Sequence, residues 1–185
     1  MTAPQSFPDP GRLELLAGFV NTLDYAAGPD ALATPASASQ WCRDHGLAPI
    51  SNHREVERLR AFREVLRDVL LANNGEAGVE GAWQAMNPYL AAGSYRVAAG
   101  GGGRLTLQPG GAGAERTIAS MLAIVYDAMA AGTWRRLRAC RHSTCRFAYY
   151  DSSKNGSRAW CSMAVCGNRE KAARRRTRER DERQR

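Results

Sequence analysis

The sequence predicts an α+β protein: an α-rich N-terminal domain with one β-hairpin, followed by a small treble-clef-like module built on clustered cysteines. Three observations predict it. Apolar residues recur at helical spacing through most of the first 133 residues. The period changes to two once, around a glycine-rich stretch. Four of the five cysteines fall between residues 140 and 166. The composition shifts abruptly after Gly132, which divides the chain into units of 1–133 and 134–185.

Leu13, Leu16, Phe19, Val20 and Leu23 make RLELLAGFVNTLDY a helix with one apolar stripe, ended by Gly28-Pro29. SASQWCRDHGL is a short helix with a serine N-cap, Trp41 as core anchor and Gly46 as its stop. The clearest helix is SNHREVERLRAFREVLRDVLLANN. Val56, Leu59, Phe62, Leu66, Val69 and Leu70 form its stripe, Asn52 and Glu55 resemble a capping box, and Asn73-Asn74-Gly75 closes it. A weaker helix, EGAWQAMNPYLAA, precedes SYRVAAGGGGRLTLQ, which reads as a hairpin with a glycine-rich tip. Gly100 to Gly103 lack the lysine and Ser/Thr of a phosphate-binding loop, so a turn is expected there. AERTIASMLAIVYDAMAAG restores helical spacing through Ile118, Met121, Leu122, Val125 and Met129, with Tyr126 also assigned to the core.

At 185 residues and 44% hydrophobic, the chain suits a folded protein rather than a disordered one. No apolar run approaches the roughly 18 residues of a membrane span. The opening MTAPQSFPDP lacks the basic flank and apolar stretch of a secretory signal, so a cytoplasmic protein is expected. Residues 134–185 carry 16 Lys plus Arg against 5 Asp plus Glu, a balance of +11, whereas residues 1–133 carry 10 against 13, or −3. This asymmetry points to a folding domain joined to a basic module suited to a polyanion. The closing EKAARRRTRERDERQR has alanine as its only apolar residue, which argues against a membrane-surface helix.

Cys140, Cys145, Cys161 and Cys166 form a C-x4-C, x15, C-x4-C array. In a reducing compartment, two close pairs separated by enough chain to fold back are suited to tetrahedral zinc. Metal would then replace much of the core that so short a module lacks. A four-thiolate iron–sulfur cluster and a redox disulfide use the same residues and remain alternatives. His142, within the first pair, is a surface histidine or a substitute ligand, and Cys42 is a buried free thiol. RFAYYD and AWCSM are expected to be strands joined by SSKNGSR, with Cys166 and a tight glycine turn at Gly167 opening a last helix.

The run from Cys140 through SSKNGSRAWCSMAVCGNREKAARRR resembles the CGNR zinc finger, whose motif stands intact as Cys166-Gly167-Asn168-Arg169. Phe147, Asp151, Ser153, Asn155, Arg158 and the block Trp160 to Met163 carry the same resemblance. Upstream, GFVNTLDY and RLRAFREVLRDVL resemble the ABATE domain that often precedes this finger, although Gly18 stands where that motif has an aspartate. The resemblance implies a stress-induced transcriptional regulator in which the finger binds DNA and the N-terminal domain senses a signal of unknown chemistry.

The expected function is therefore a zinc-dependent DNA-binding regulator with one structural zinc on Cys140, Cys145, Cys161 and Cys166. Nucleic-acid contacts are assigned to Lys154, Arg158, Arg169, Lys171, Arg174, Arg175, Arg176 and Arg178, which surround most of the last helix or lie on the turn before it. Trp160 is expected to pack against the zinc site. RNA and an acidic protein are the alternative partners, and a homodimer would let two fingers share one site. An enzyme is not expected, because four thiolates leave zinc no open position for water and no nucleophile–base motif is present. Arg60, Arg63 and Arg67 share one helix face and suit either salt bridges or an anionic ligand of the N-terminal domain.

Overall fold

The structure, a computed structural model, describes residues 10–184 apart from 26, 27, 78, 80 and 104. Residues 1–9, which hold most of the stretch read above for a secretory signal, lie outside the described residues. Among the described residues six α-helices are formed: α1 Pro10–Val20, α2 Pro35–Asp44, α3 His53–Asn73, α4 Asn87–Ala92, α5 Gly113–Ala130 and α6 Asn168–Arg183. Two antiparallel hairpins accompany them, β1 Tyr95–Ala99 with β2 Leu105–Pro109 and β3 Leu137–Ala139 with β4 Ala148–Tyr150. No described helix is long and apolar enough to cross a membrane.

Helix α3 is the axis of the molecule and packs against α1, α2, α5 and β3. Its predicted start is present: the Asn52 side chain accepts the Glu55 N–H at 3.0 Å, and the Glu55 carboxylate accepts the Ser51 N–H at 2.7 Å. Burying an apolar stripe on a 21-residue helix gives it far more stability than its intrinsic propensity supplies. Phe62 stands at the centre, with its ring centroid 5.8 Å from Phe19 of α1 and 5.1 Å from Tyr89 of α4. The hairpin β1–β2 forms where the period-two stretch predicted it, with Val97 opposite Leu107.

Some expectations are corrected. Helix α1 stops at Val20, well before Gly28-Pro29, and Leu23 lies outside it. The reason is α3, whose Arg67 donates to the carbonyls of Val20 at 2.7 Å and Leu23 at 3.2 Å and so holds the chain in a turn. Helix α2 is capped by Thr34 rather than by a serine: Thr34 Oγ1 accepts the Ser37 N–H, and Ser37 Oγ accepts the Thr34 N–H. Cys42 and Ala38 rather than Trp41 are the fully buried residues of this helix. Burial pushes the Cys42 thiol up to about 11. Trp41 is half-buried between Phe19 and a stacked His45. On α5, Tyr126 and Met129 are 53% and 51% exposed rather than in the core, because the last turn buries Ala128 instead.

AWCSM forms no strand. Strand β4 pairs with β3, with Leu137 opposite Tyr150 and Ala139 opposite Ala148, so the first cysteine pair sits at the tip of this hairpin. The backbone at Arg158 and Ala159 is satisfied by other groups: Asp151 and Tyr149 take up Arg158, while Asn74 and the Arg141 N–H reach the Ala159 carbonyl. Gly167 makes no tight turn either. It is right-handed helical, at the end of a five-residue π-helical turn, Met163–Gly167, that runs into α6. A side chain there would lie 2.9 Å from the sulfur of the half-exposed Met163, whose flexible end can move aside, so neither a positive φ nor a fixed neighbour calls for glycine.

The hairpin β3–β4 belongs to the main core. Trp134, Leu137, Ala139 and Ala148 are buried with the α1, α3 and α5 side chains. Asn21, the residue after α1, mimics a strand neighbour: its amide donates to the Ala148 carbonyl at 2.8 Å and accepts the Ala148 N–H at 2.7 Å. Replacing Asn21 with alanine would strand both groups of a buried strand. Asn21→Ala is expected to cost about 2–3 kcal/mol in urea unfolding, and a loss below about 0.5 kcal/mol would show that the pairing is dispensable.

Candidate metal centre and its basic helix

The four cysteines predicted as ligands converge. Their sulfurs all lie within 4.8 Å of one another, with Cys145 to Cys161 at 3.7 Å and Cys161 to Cys166 at 3.8 Å. A tetrahedron with zinc–sulfur bonds of 2.3 Å has edges of about 3.8 Å, so the donor set and spacing fit this ion. Cys140 and Cys166 are buried, while Cys145 and Cys161 are half-buried. Burial first, then the neighbouring sulfurs, pushes the Cys161 thiol far up and the Cys166 thiol up to about 12. Cys161 and Cys166 therefore favour the uncharged thiol. A divalent cation reverses that preference by binding them as thiolates.

Each cysteine is placed by a local device. Cys140 follows β3 directly, and its N–H donates to the Phe147 carbonyl at 2.9 Å across the first knuckle. The Cys145 and Arg146 N–H groups both donate to the His142 carbonyl, and Arg146 turns left-handed at φ 49°. It is the only non-glycine described with a positive φ. Such a conformation costs about 1–2 kcal/mol and persists here because Arg67 donates to the Arg146 carbonyl at 2.9 Å from the core side. In the second knuckle, Ser162 Oγ accepts the Val165 N–H, and the Gly167 N–H donates to the Ser162 carbonyl. The Arg141 N–H donates to the Ala159 carbonyl and draws the two knuckles together.

Residues that sequence reasoning had not assigned hold this site to the domain. Asn74, read only as a helix stop, is buried, and its side-chain amide donates to the carbonyls of Ala139 at 2.8 Å and Ala159 at 2.9 Å. Asn73 does the same for Trp134 and Leu137. The Asn73-Asn74 pair was the available signal, since two amides at a helix end can bond beyond the helix. Asp151, noted only through the family resemblance, is fully buried and organises the turn by accepting the N–H groups of Ser153 at 3.0 Å and Arg158 at 2.9 Å. Burial alone would raise its carboxyl; those hydrogen bonds and the Arg138 guanidinium overcome the effect and hold it below the usual aspartate range.

The predicted basic contacts fall into two settings. Lys154 is exposed on the turn. Arg158 is committed to the knuckle, where its guanidinium donates to the Cys161 carbonyl at 2.6 Å and lies 5.2 Å from the Tyr149 ring centre. Arg169, Lys171, Arg174, Arg175, Arg176 and Arg178 are all exposed on α6, which buries no residue. Trp160 packs against Cys140 and Cys166, and His142 lies outside the sulfur cluster beside Thr144.

The arginines of α3 are occupied. Arg63 is 2% exposed and binds Asp30 through both terminal nitrogens, Thr22 and Glu64; Arg60 also pairs with Asp30. Arg67 is 1% exposed and binds Glu64 besides the carbonyls already named. Salt bridges and backbone ties account for the buried Arg63 and Arg67, while Arg60 is partly exposed.

Residues 136–179 match the CGNR zinc finger family, and residues 13–139 match the ABATE family, which is described as "Putative stress-induced transcription regulator". No curated protein matches the chain significantly. Cys140, Cys145, Cys161 and Cys166 hold one structural zinc.

Zinc removal by a chelator, or Cys166→Ser, is expected to release the knuckles and the start of α6 while sparing β3–β4, because that hairpin packs in the main core. Hydrogen exchange checks this: the Arg141, Val165 and Gly167 amides should lose protection, and those of α3 should keep it. A second test concerns Asp151. Asp151→Asn is expected to cost about 2–3 kcal/mol at pH 7. The carboxylate's folded pKa lies below its unfolded value of about 3.9. Its contribution is therefore full above that value and lost as pH falls through the lower one, so the gap between wild type and variant should persist at neutral pH and close only in acid, below the unfolded value.

Proposed function

The chain belongs to the ABATE family, and from that premise we propose that it is a zinc-dependent, DNA-binding transcriptional regulator of the cytoplasm rather than an enzyme. One observation carries the reading: the four-cysteine centre fastens the first turn of an exposed, strongly basic helix to a folded domain. Helix α6 has eight Lys and Arg against four Asp and Glu and no apolar residue larger than alanine. An isolated helix of 16 residues is marginal in water. Zinc supplies the order that packing does not, and the helix then presents its charges to a polyanion at fixed geometry.

The four thiolates complete the metal's coordination, which supports a structural rather than a catalytic role. The N-terminal domain meets the finger through side chains that include Asn21, Asn73, Asn74 and Arg67, which bond β4, β3, the second knuckle's approach and the first knuckle respectively. A signal that shifts α1 or α3 would therefore be felt at the zinc centre without a flexible linker between them.

The test is a salt titration of zinc-loaded full-length protein against random duplex DNA, with structured RNA as competitor and metal-stripped protein alongside. Neutralising four to six phosphates predicts a slope of log affinity against log salt between about −4 and −5. Binding should fall sharply on metal removal. A slope shallower than about −1, indifference to zinc, or preference for RNA would each reject the DNA reading.

A further inference from the structure

The charges of α6 are not equivalent. At about 100° per residue, Arg169, Arg176 and Arg180 fall within about 20° of one line along the helix, at positions i, i+7 and i+11, and Arg183 at the helix end lies about 40° from it. The acidic residues of the helix, Glu170, Glu179, Asp181 and Glu182, all lie at least about 60° from that line. Ala172 and Ala173 border the stripe on its two sides, so its flanks are low. None of the three stripe arginines makes an ion pair among the described residues.

Three other arginines are arranged differently. Arg174 binds Glu170 at 3.0 Å, Arg175 binds Glu179 at 2.7 Å and Arg178 binds Glu182 at 2.9 Å, each one turn apart. Such exposed pairs are weak and easily broken, so the bonds themselves do not disqualify these arginines. The carboxylates do. Residues one turn apart on a helix have Cβ atoms about 5–6 Å from each other, so a phosphate reaching Arg174, Arg175 or Arg178 also meets a fixed negative charge. On the stripe, Arg169 and Arg180 have no acidic residue three or four positions away, and Arg176 has one, Glu179, which is already bound to Arg175.

We infer that the stripe of Arg169, Arg176 and Arg180 is the face of α6 that lies against duplex DNA, with Arg174, Arg175 and Arg178 turned away from it. This rests on the DNA-binding reading above. The first stripe residue stands three positions after the ligand Cys166, so zinc fixes where the stripe begins. The stripe then runs about 16 Å along the helix at 1.5 Å per residue, and its low alanine flanks suit entry into a major groove about 12 Å wide.

The experiment compares full-length, zinc-loaded wild type with two triple variants, Arg169→Ala/Arg176→Ala/Arg180→Ala and Arg174→Ala/Arg175→Ala/Arg178→Ala, on random duplex DNA across a salt series. Both variants remove three positive charges, so a nonspecific effect of net charge is the same in each. Alanine is the best helix former, and equal zinc content and helicity confirm that α6 is intact in both. The stripe variant is expected to lose about 2–3 from the salt slope and at least about tenfold in affinity, and the other variant to lose less than about 1 from the slope. Equal losses, or a larger loss in the second variant, overturn the stripe while leaving DNA binding standing. Failure of the wild type to bind duplex DNA overturns the underlying reading and is recognised before the variants are compared.

Discussion

The structure depends on one short hairpin being held from two sides. Strands β3 and β4 bury Leu137, Ala139 and Ala148 in the core of the α-rich domain, while the loop at their tip carries Cys140 and Cys145. With three residues each, such strands have little stability of their own. They persist because Asn21 supplies β4 with a substitute strand edge and because Asn73 and Asn74 bond the carbonyls of Leu137 and Ala139. The zinc centre then inherits its position from the helical core rather than from a core of its own.

This arrangement explains two residues that would otherwise be costly. Arg63 and Arg67 are buried charges, and an uncompensated buried guanidinium would be strongly destabilising. Arg63 is neutralised by Asp30 and Glu64, while Arg67 shares Glu64 and spends its other donors on three carbonyls from α1's end and the first knuckle. The same cluster stops α1, braces the left-handed Arg146 and ties the finger to α3. Its arginines serve as multi-donor hydrogen-bond hubs, for which the five-donor guanidinium is better suited than lysine.

Much of the fold was legible in the sequence because burial on a regular element leaves a period. The stripe of α3, the capping by Asn52, the hairpin β1–β2 and the stops at Gly46 and Gly132 follow from spacing and turn chemistry alone. The readings that failed concern segments whose backbone groups find partners far away in the chain. The early end of α1 depends on Arg67, and the missing strand at Ala159 depends on Asn74 and Arg141, none of which a local window contains. Glycine usually marks a turn, whereas Gly167 continues the helical backbone from the π-helical turn into α6.

By itself the sequence determined the metal centre, since four cysteines in two close pairs specify a tetrahedral site through the chemistry of the donors, and it determined the basic character of the closing segment. The tertiary structure alone decided how that centre is attached. Asn21, Asn73, Asn74 and Arg67 are ordinary helix-end and helix-face residues in sequence, and their role exists only where folding brings them beside β3, β4 and the knuckles. Hydrogen bonds between side chains and distant carbonyls leave no periodic trace, whereas repeated burial and ligand spacing do.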